Sequence, residues 1–177
     1  MRVISGKYKS RKFKLPKNFP SRPTTDSAKE GLFNILTNRV DFEDCDVLDL
    51  FAGTGNISLE FLSRASKSVL SVDSHFVSFK NMKKLMHEVE ADNWKVIKND
   101  VFKYVPKIDR KFDIVFADPP FGLEKIYDIP KLVLDSDLLH EDGVLVIEHG
   151  RETDFSKAEH FESARNYGGV NFAFFSK

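Results

Sequence analysis

The strongest constraint on the fold is an alternation of strand-like and helix-like segments that begins at Val47 and continues through most of the chain. This pattern predicts an α/β fold in which helices cover both faces of a mostly parallel sheet. Short apolar runs predict strands over residues 47–51, 68–72, 95–98, 112–117 and 143–148. Amphipathic segments predict helices over residues 57–64, 76–89 and 125–134, with a short turn over 101–105.

The order of elements changes near the C-terminus. Residues 161–167 and 170–175 flank Gly168-Gly169, which predicts an antiparallel hairpin with a two-residue turn. The helix over 76–89 carries an apolar stripe that includes Phe76, and we expect this stripe to face the core. The length of 177 residues indicates one domain over residues 1–177.

Residues 1–40 are predicted to form a basic N-terminal extension to the α/β core over 41–177. Alternating residues in 2–5 and 12–15 predict a short β-hairpin. A helix is expected to follow, because Asp26 and Ser27 are N-cap residues and Glu30 completes a capping box with Ser27.

Charge is distributed unevenly along the chain. The first 25 residues carry eight of the 27 basic side chains and no Asp or Glu, which leaves 19 basic and 27 acidic residues in the remainder. A basic segment on an acidic body suggests contact with a polyanion. A solvated surface would explain the same charges equally well.

Composition excludes several classes of protein. No apolar run is long enough to cross a bilayer, and the N-terminus lacks the apolar region of a signal peptide. Cys45 is the single cysteine, so no internal disulfide can form, and we expect a small buried thiol there. The five histidines show no ligand spacing. We therefore expect a cytoplasmic protein that binds neither a metal nor a membrane.

A glycine-containing turn, Asp49-Leu50-Phe51-Ala52-Gly53-Thr54-Gly55, joins the first strand of the predicted sheet to its first helix. Ligands bind at this edge of α/β sheets, and glycines allow the backbone to approach them closely. The turn departs from a dinucleotide fingerprint because Ser58 stands where a third glycine is expected.

Acidic residues end three successive strands of the predicted sheet. Asp49 lies on the first strand, Asp73 can accept both hydroxyls of a ribose, and Asp100 can accept from an adenine amino group. Such a pocket suits an adenosine that bears a positive sulfonium, whereas the pyrophosphate of NAD prefers helix N-termini and basic residues. Helix capping would explain any one carboxylate. We favour S-adenosylmethionine, held by Asp49, Phe51, Gly53, Thr54, Gly55, Asp73, Asp100 and Val101.

The most specific motif is Asp118-Pro119-Pro120-Phe121, which follows the buried strand over residues 112–117. An exocyclic base amine is a poor nucleophile because its lone pair is delocalised into the ring. The Asp118 carboxylate and the Pro119 carbonyl can each accept one of its N–H bonds. Pro120 stiffens the loop, and Phe121 can stack on an extruded base. The alternative is a proline-terminated strand with an aromatic plug.

These residues together resemble a known family. A parallel sheet ending in an antiparallel hairpin is the layout of class I S-adenosylmethionine-dependent methyltransferases, which are Rossmann-like. The chain is similar to the RsmD-type enzymes, which methylate guanine N2 in 16S ribosomal RNA. The likeness lies in residues 2–7, Arg11-Lys12, Arg22-Pro23-Thr24-Thr25-Asp26, residues 49–55, residues 118–121 and Tyr167-Gly168-Gly169.

The resemblance implies a substrate and a binding surface. It implies that residues 22–26 fold over the cofactor pocket and that 16S rRNA is bound within the small ribosomal subunit or an assembly intermediate. Asp73 departs from the family pattern, which often has Glu there. We expect a monomer whose RNA-binding residues are Arg2, Lys7, Arg11, Lys12, Arg22, Thr24 and Thr25.

Alternatives stay open at this point. An adenine-N6 methyltransferase acting on RNA or DNA would use the same loop chemistry, although only 56 residues follow Phe121, which leaves little room for a DNA-recognition region. A nicotinamide-dependent oxidoreductase is disfavoured by Ser58 and the acidic pocket. A non-catalytic RNA-binding protein would be expected to have lost Asp118 or the glycines.

Overall fold

A seven-stranded sheet forms the centre of the computed structural model, which describes residues 1–17, 19 and 24–177. The strand order is β3-β2-β1-β4-β5-β7-β6. The first five strands in this order are parallel, β7 is antiparallel to β5, and β6 is antiparallel to β7. The predicted class I methyltransferase layout is therefore confirmed. The strands are β1 (Asp46–Leu50), β2 (Ser68–Asp73), β3 (Trp94–Lys98), β4 (Phe112–Ala117), β5 (Leu139–His149), β6 (Phe161–Tyr167) and β7 (Val170–Ser176).

Helices cover both faces of the sheet, because alternate strand residues point to opposite faces. One core contains Val47, Ile114 and Phe116 with residues of the N-terminal segment and the first three helices. The other core contains Leu48, Val115 and residues of the last two helices. The helices are α1 (Asp26–Thr37), α2 (Asn56–Ser63), α3 (Phe76–Glu88), α4 (Val101–Tyr104) and α5 (Asp128–Asp135), and 3₁₀ turns span Phe42–Asp44, Val105–Lys107 and Glu124–Tyr127.

Two strand boundaries differ from the prediction for local reasons. β1 ends at Leu50 because Phe51 adopts a left-handed conformation with φ of 57°, which turns the chain out of the sheet. β5 begins at Leu139, well before the predicted start at residue 143, because Leu139 pairs with Phe112 before a register irregularity. The other parallel strands lie within one residue of the predicted bounds.

The start of α1 corrects the predicted cap. Thr25 is the N-cap, and its hydroxyl accepts from the Ala28 amide at 3.3 Å. The capping box predicted at Ser27 is wrong because the helix already begins at Asp26. The Asp26 carboxylate instead pairs with Arg2 at 2.8 Å.

The N-terminal segment forms less β-structure than predicted. A single antiparallel bridge joins Arg2 to Lys12, and turns occupy most of the residues between them. We call residues 1–13 the N-terminal arm. The arm lies on α2, where the Ile4 amide donates to Glu60 at 2.7 Å and the Lys7 amide donates to the Ser63 carbonyl at 2.6 Å.

Two further expectations have mixed outcomes. Met82 and Leu85 of the α3 stripe are buried, but Phe76 is 61% exposed, so its assignment to the core is wrong. Phe76 is the first residue of α3. Cys45 is buried directly before β1, as predicted. Among the described residues, no helix has the length and apolar character needed to cross a membrane.

Candidate active site

A cavity of about 920 Å³ lies at the carboxyl edge of the parallel strands. This edge is where the loops after β1, β2, β3 and β4 meet. The cavity is lined by all of the predicted catalytic residues, Asp118, Pro119, Pro120 and Phe121, and by the predicted cofactor-binding residues Asp49, Phe51, Gly53, Thr54, Asp73, Asp100 and Val101. Of the predicted cofactor set, Gly55 alone lies outside the lining.

Gly55 instead shapes the turn from β1 into α2. It is the N-cap of α2 with φ of 76°, a conformation that side chains rarely adopt. A Cβ atom there would lie 2.9 Å from Cγ of Met82, so a larger residue would also have to displace that side chain. Gly55 therefore allows the turn into α2, whereas Gly53 and Thr54 line the cavity.

Asp49 is buried at the base of the cavity. Its carboxylate accepts a hydrogen bond from the Ser58 hydroxyl, which also contacts the Ser71 hydroxyl at 2.7 Å. Burial raises the pKa of Asp49 to about 7, and the charges of Asp118 and Asp73 act in the same direction. Ser58, which stands where a dinucleotide fingerprint has its third glycine, thus donates a hydrogen bond to the buried Asp49.

The other two acids also make hydrogen bonds within the protein. Asp73 accepts from the Gly53 amide at 2.8 Å and from the His75 amide at 2.7 Å, which ties the loops after β1 and β2 together. Asp100 caps α4 by accepting from the Lys103 amide at 3.0 Å. Each carboxylate has about four acceptor positions, so these contacts leave capacity for a ligand.

The loop after β4 brings Asp118 to the cavity beside β1. The Asp118 amide donates to the Leu50 carbonyl at 3.2 Å, which continues the pairing between β1 and β4. Burial raises the pKa of Asp118 to about 7. Pro119 is buried, whereas the ring of Phe121 is 91% exposed at the rim.

Glu148, to which sequence reasoning assigned no role, also lines the cavity. It lies near the end of β5, and its pKa is raised to about 8 by burial and by the charge of Asp118. Its Oε2 accepts from the Thr24 hydroxyl at 3.0 Å. The only signal in the sequence was a carboxylate at a strand end, the same feature that identified Asp49 and Asp73.

Comparison with known proteins identifies the family of this chain. The family model described as conserved hypothetical protein 95 matches residues 1–176. The chain belongs to this family. YlbH of Bacillus subtilis (strain 168), a candidate rRNA methyltransferase, is 35% identical over 87% of this chain and 85% of its own. Ribosomal RNA small subunit methyltransferase D of Escherichia coli (strain K12) is 29% identical over 84% of this chain and 74% of its own.

A solved structure shows the same fold at full length. The Escherichia coli protein yhhF, a candidate methyltransferase, matches with a TM-score of 0.86 and 26% identity and covers 100% of this chain and 97% of its own. These relatives confirm that the resemblance to RsmD-type proteins noted from the sequence is a family relationship.

In this member of the conserved hypothetical protein 95 family, the described residues of the predicted RNA-binding set lie in the cavity, at the start of α1 and on the N-terminal arm. Thr24 lies inside the cavity, and Thr25 caps α1. The Arg2 guanidinium pairs with Asp26 near the start of α1. Arg22 falls outside the described residues.

The remaining basic residues of the predicted set lie on the N-terminal arm. Lys7 is held at Ser63, the last residue of α2, whereas Asn56 at the first turn of α2 lines the cavity. The helix rise places these two ends about 10 Å apart. Arg11 stacks over Tyr8 and approaches Glu88 at 3.9 Å, and Lys12 is exposed.

A buried polar network connects the arm to the cavity. Lys29 is fully buried, pairs with Glu60 at 3.0 Å and donates to Oδ1 of Asn56 at 3.1 Å. The side-chain amide of Asn56 then donates to the Thr24 carbonyl at 3.1 Å. This network fixes Thr24 between the start of α2 and Glu148.

Proposed function

We propose that this chain is an S-adenosylmethionine-dependent methyltransferase that methylates the N2 amine of a guanine in 16S rRNA. The observation that carries the proposal is that the Asp118 loop and the three strand-end acids line one cavity. The names of the relatives support methylation of small-subunit rRNA. The guanine assignment follows from the resemblance to RsmD-type enzymes.

The cavity fits the cofactor in its chemistry. S-adenosylmethionine carries an activated methyl group on a sulfonium cation, and acidic groups stabilise that charge. Asp73 would accept hydrogen bonds from the ribose hydroxyls, and Asp100 and Val101 would bind the adenine; all three residues line the cavity. Phe51 packs edge to face on Phe102, which gives the cavity an apolar wall for the adenine ring.

The catalytic loop acts on the amine. Asp118 and the carbonyl of Pro119 each accept one N–H bond, which orients the nitrogen lone pair toward the methyl group. Bound S-adenosylmethionine would supply the methyl group and leave as S-adenosylhomocysteine, while Asp118 takes the proton that the nitrogen releases. A carboxyl with a pKa of about 7 is suited to this transfer near neutral pH. Phe121, exposed at the rim, stacks on the extruded base.

The basic side chains of the arm and of residues 22–25 are proposed to hold RNA phosphates. We propose a monomer that acts on the small subunit or an assembly intermediate, without metal, in the cytoplasm. Binding should weaken steeply as salt rises, because each phosphate contact releases condensed counterions.

The test is methyl transfer to small ribosomal subunits from cells that lack the enzyme. The subunits are incubated with the protein and labelled S-adenosylmethionine, and their rRNA is digested to nucleosides. We expect labelled N2-methylguanosine in 16S rRNA. Labelled N6-methyladenosine, or no label in RNA, would contradict the proposal. Subunits that already carry the modification are the matched control and should take up no label.

A further inference from the structure

Glu148 and Asp118 lie side by side at the carboxyl edge of the sheet. β4 and β5 are parallel neighbours, and their register pairs Ala117 with Ile147. The next residue of each strand is therefore an acid at the same edge, and both side chains line the cavity. Asp118 is already assigned to the amine, which leaves the role of the second carboxyl open.

The environment of Glu148 points to a ligand that donates hydrogen bonds. Its pKa is raised to about 8 because burial and the neighbouring Asp118 make ionisation of the carboxyl unfavourable. Thr24 donates to one oxygen and occupies one of about four acceptor positions. An amide oxygen could accept the same hydrogen bond from Thr24, so that contact alone does not require a carboxyl.

The Watson–Crick edges of the two purines differ where Glu148 would meet them. Guanine presents three adjacent N–H bonds, one on N1 and two on N2. Adenine presents two N–H bonds on N6, but its N1 is an acceptor. Asp118 and the Pro119 carbonyl accept two N–H bonds from either amine, so these two groups cannot distinguish the bases. A further acceptor beside Asp118 matches guanine, whereas the N1 of adenine offers it no N–H bond.

We propose that Glu148 is the residue that selects guanine, by accepting the N1–H bond of the base whose N2 amine is held by Asp118 and Pro119. This inference rests on the proposed function. Thr24, fixed by Asn56, orients the Glu148 carboxylate toward the base. The residue that selects guanine lies on β5 and not in the catalytic loop. The sequence of the loop is therefore compatible with both purines.

The experiment replaces the target guanine with 2-aminopurine, which keeps the amine but lacks N1–H. Small subunits are assembled with guanine or 2-aminopurine at the nucleotide that the wild-type protein methylates. Wild-type protein is expected to prefer guanine by about 5- to 150-fold in kcat/KM, the range for one well-placed base contact. Glu148→Gln is expected to lose most of this preference, because an amide can accept from one base and donate to the other.

Glu141→Gln is the matched control, since it makes the same change at an exposed site on β5 and should keep the preference. Folding of each variant is checked by the rise in Tm with S-adenosylhomocysteine, and Glu148→Ala replaces a variant that fails this check. Equal wild-type rates on both bases, or an unchanged preference in the Glu148 variant, would overturn the inference. Absence of N2-methylguanosine with wild-type protein would instead refute the proposed function.

Discussion

Asp118 links the structure to a measurable pH dependence. Its pKa is raised to about 7 by burial, and the adjacent Glu148 is raised to about 8. Only the ionised carboxylate can accept both the N–H bond and the released proton. We therefore predict that kcat/KM for methyl transfer rises about tenfold per pH unit below neutrality and levels off above pH 7–8. A rate that is constant from pH 5.5 to 8.5 would show that Asp118 does not act as a proton acceptor.

Phe121 offers a second test at the scale of one side chain. Because its ring is 91% exposed, replacing it should not change the free energy of unfolding. Loss of stacking on the base costs about 1–3 kcal/mol, so Phe121→Ala should lower kcat/KM for the RNA about 5- to 150-fold. Phe121→Tyr keeps an aromatic ring and is the matched control. If both variants are equally impaired, stacking is not the role of this residue.

Single residues were predictable where a short motif carried the information. Asp49, Asp73 and Asp118 could be identified because each lies on, at the end of or directly after a strand that the apolar pattern predicts. Glu148 could not, since its meaning depends on the register between β4 and β5 and on Thr24 more than a hundred residues away. Neither relation leaves a local signature in the sequence.

At the scale of elements, the N-terminal arm depends on one close approach to α2. Gly6 has φ of 81°, and a Cβ atom there would lie 1.8 Å from the Ser63 carbonyl oxygen. Gly6→Ala must therefore displace the arm or α2, and we predict a loss of roughly 1–3 kcal/mol in the free energy of unfolding. The fall in Tm is measured by thermal unfolding.

Gly168→Ala provides the control for this prediction. Gly168 also has a positive φ, of 60°, but nothing lies within 4 Å of an added Cβ atom. The difference between the two variants isolates the steric contact from the backbone strain. A Gly6→Ala protein no less stable than Gly168→Ala would contradict the described packing of the arm.

The strands of the parallel sheet were easier to predict than the arm. Buried parallel strands appear as continuous apolar runs, so β4 was placed over its full length, Phe112–Ala117. The arm is held by backbone groups of α2 and by the buried Lys29–Glu60 pair. A fully buried lysine is uncommon, and nothing in the sequence distinguishes Lys29 from the exposed lysines around it.

At the scale of the whole molecule, the buried acid at the base of the cavity lowers the free energy of unfolding. Asp49 is buried with a pKa of about 7 against an ordinary value of 3.8. The unfolded chain releases its proton near pH 4 and the folded protein near pH 7, so Asp49 lowers stability progressively as pH rises between these values. Above pH 7 the full penalty persists until a cation binds.

We predict that Asp49→Asn raises the Tm of the ligand-free protein at pH 8, by about 2–4 °C for each kcal/mol regained. The gain should shrink at pH 5, where the folded protein already holds the proton. The same variant should bind S-adenosylmethionine more weakly, because it lacks the carboxylate. Thermal unfolding at both pH values measures the first effect and calorimetry the second. A variant that is less stable than wild type at pH 8 would contradict the assigned cost.

The sequence predicted the arrangement of strands and helices better than the positions of the basic residues near the N-terminus. The alternation of segments and the Gly168-Gly169 turn were sufficient for the sheet and its antiparallel hairpin. The basic residues of the first 25 positions were expected to act together, yet Lys7 lies at the opposite end of α2 from the cavity. The charges in a sequence do not predict the direction in which the N-terminal arm crosses α2.

The most direct test of the proposed role of Asp118 compares methyl transfer with cofactor binding in Asp118→Asn. The asparagine is nearly the same size as Asp118 but cannot take a proton from the amine. We predict that transfer to undermethylated small subunits falls at least a hundredfold, while S-adenosylhomocysteine raises the Tm as much as it does for wild type. Loss of both properties would show that Asp118 supports the fold of the cavity, and retention of transfer would contradict its place in the reaction.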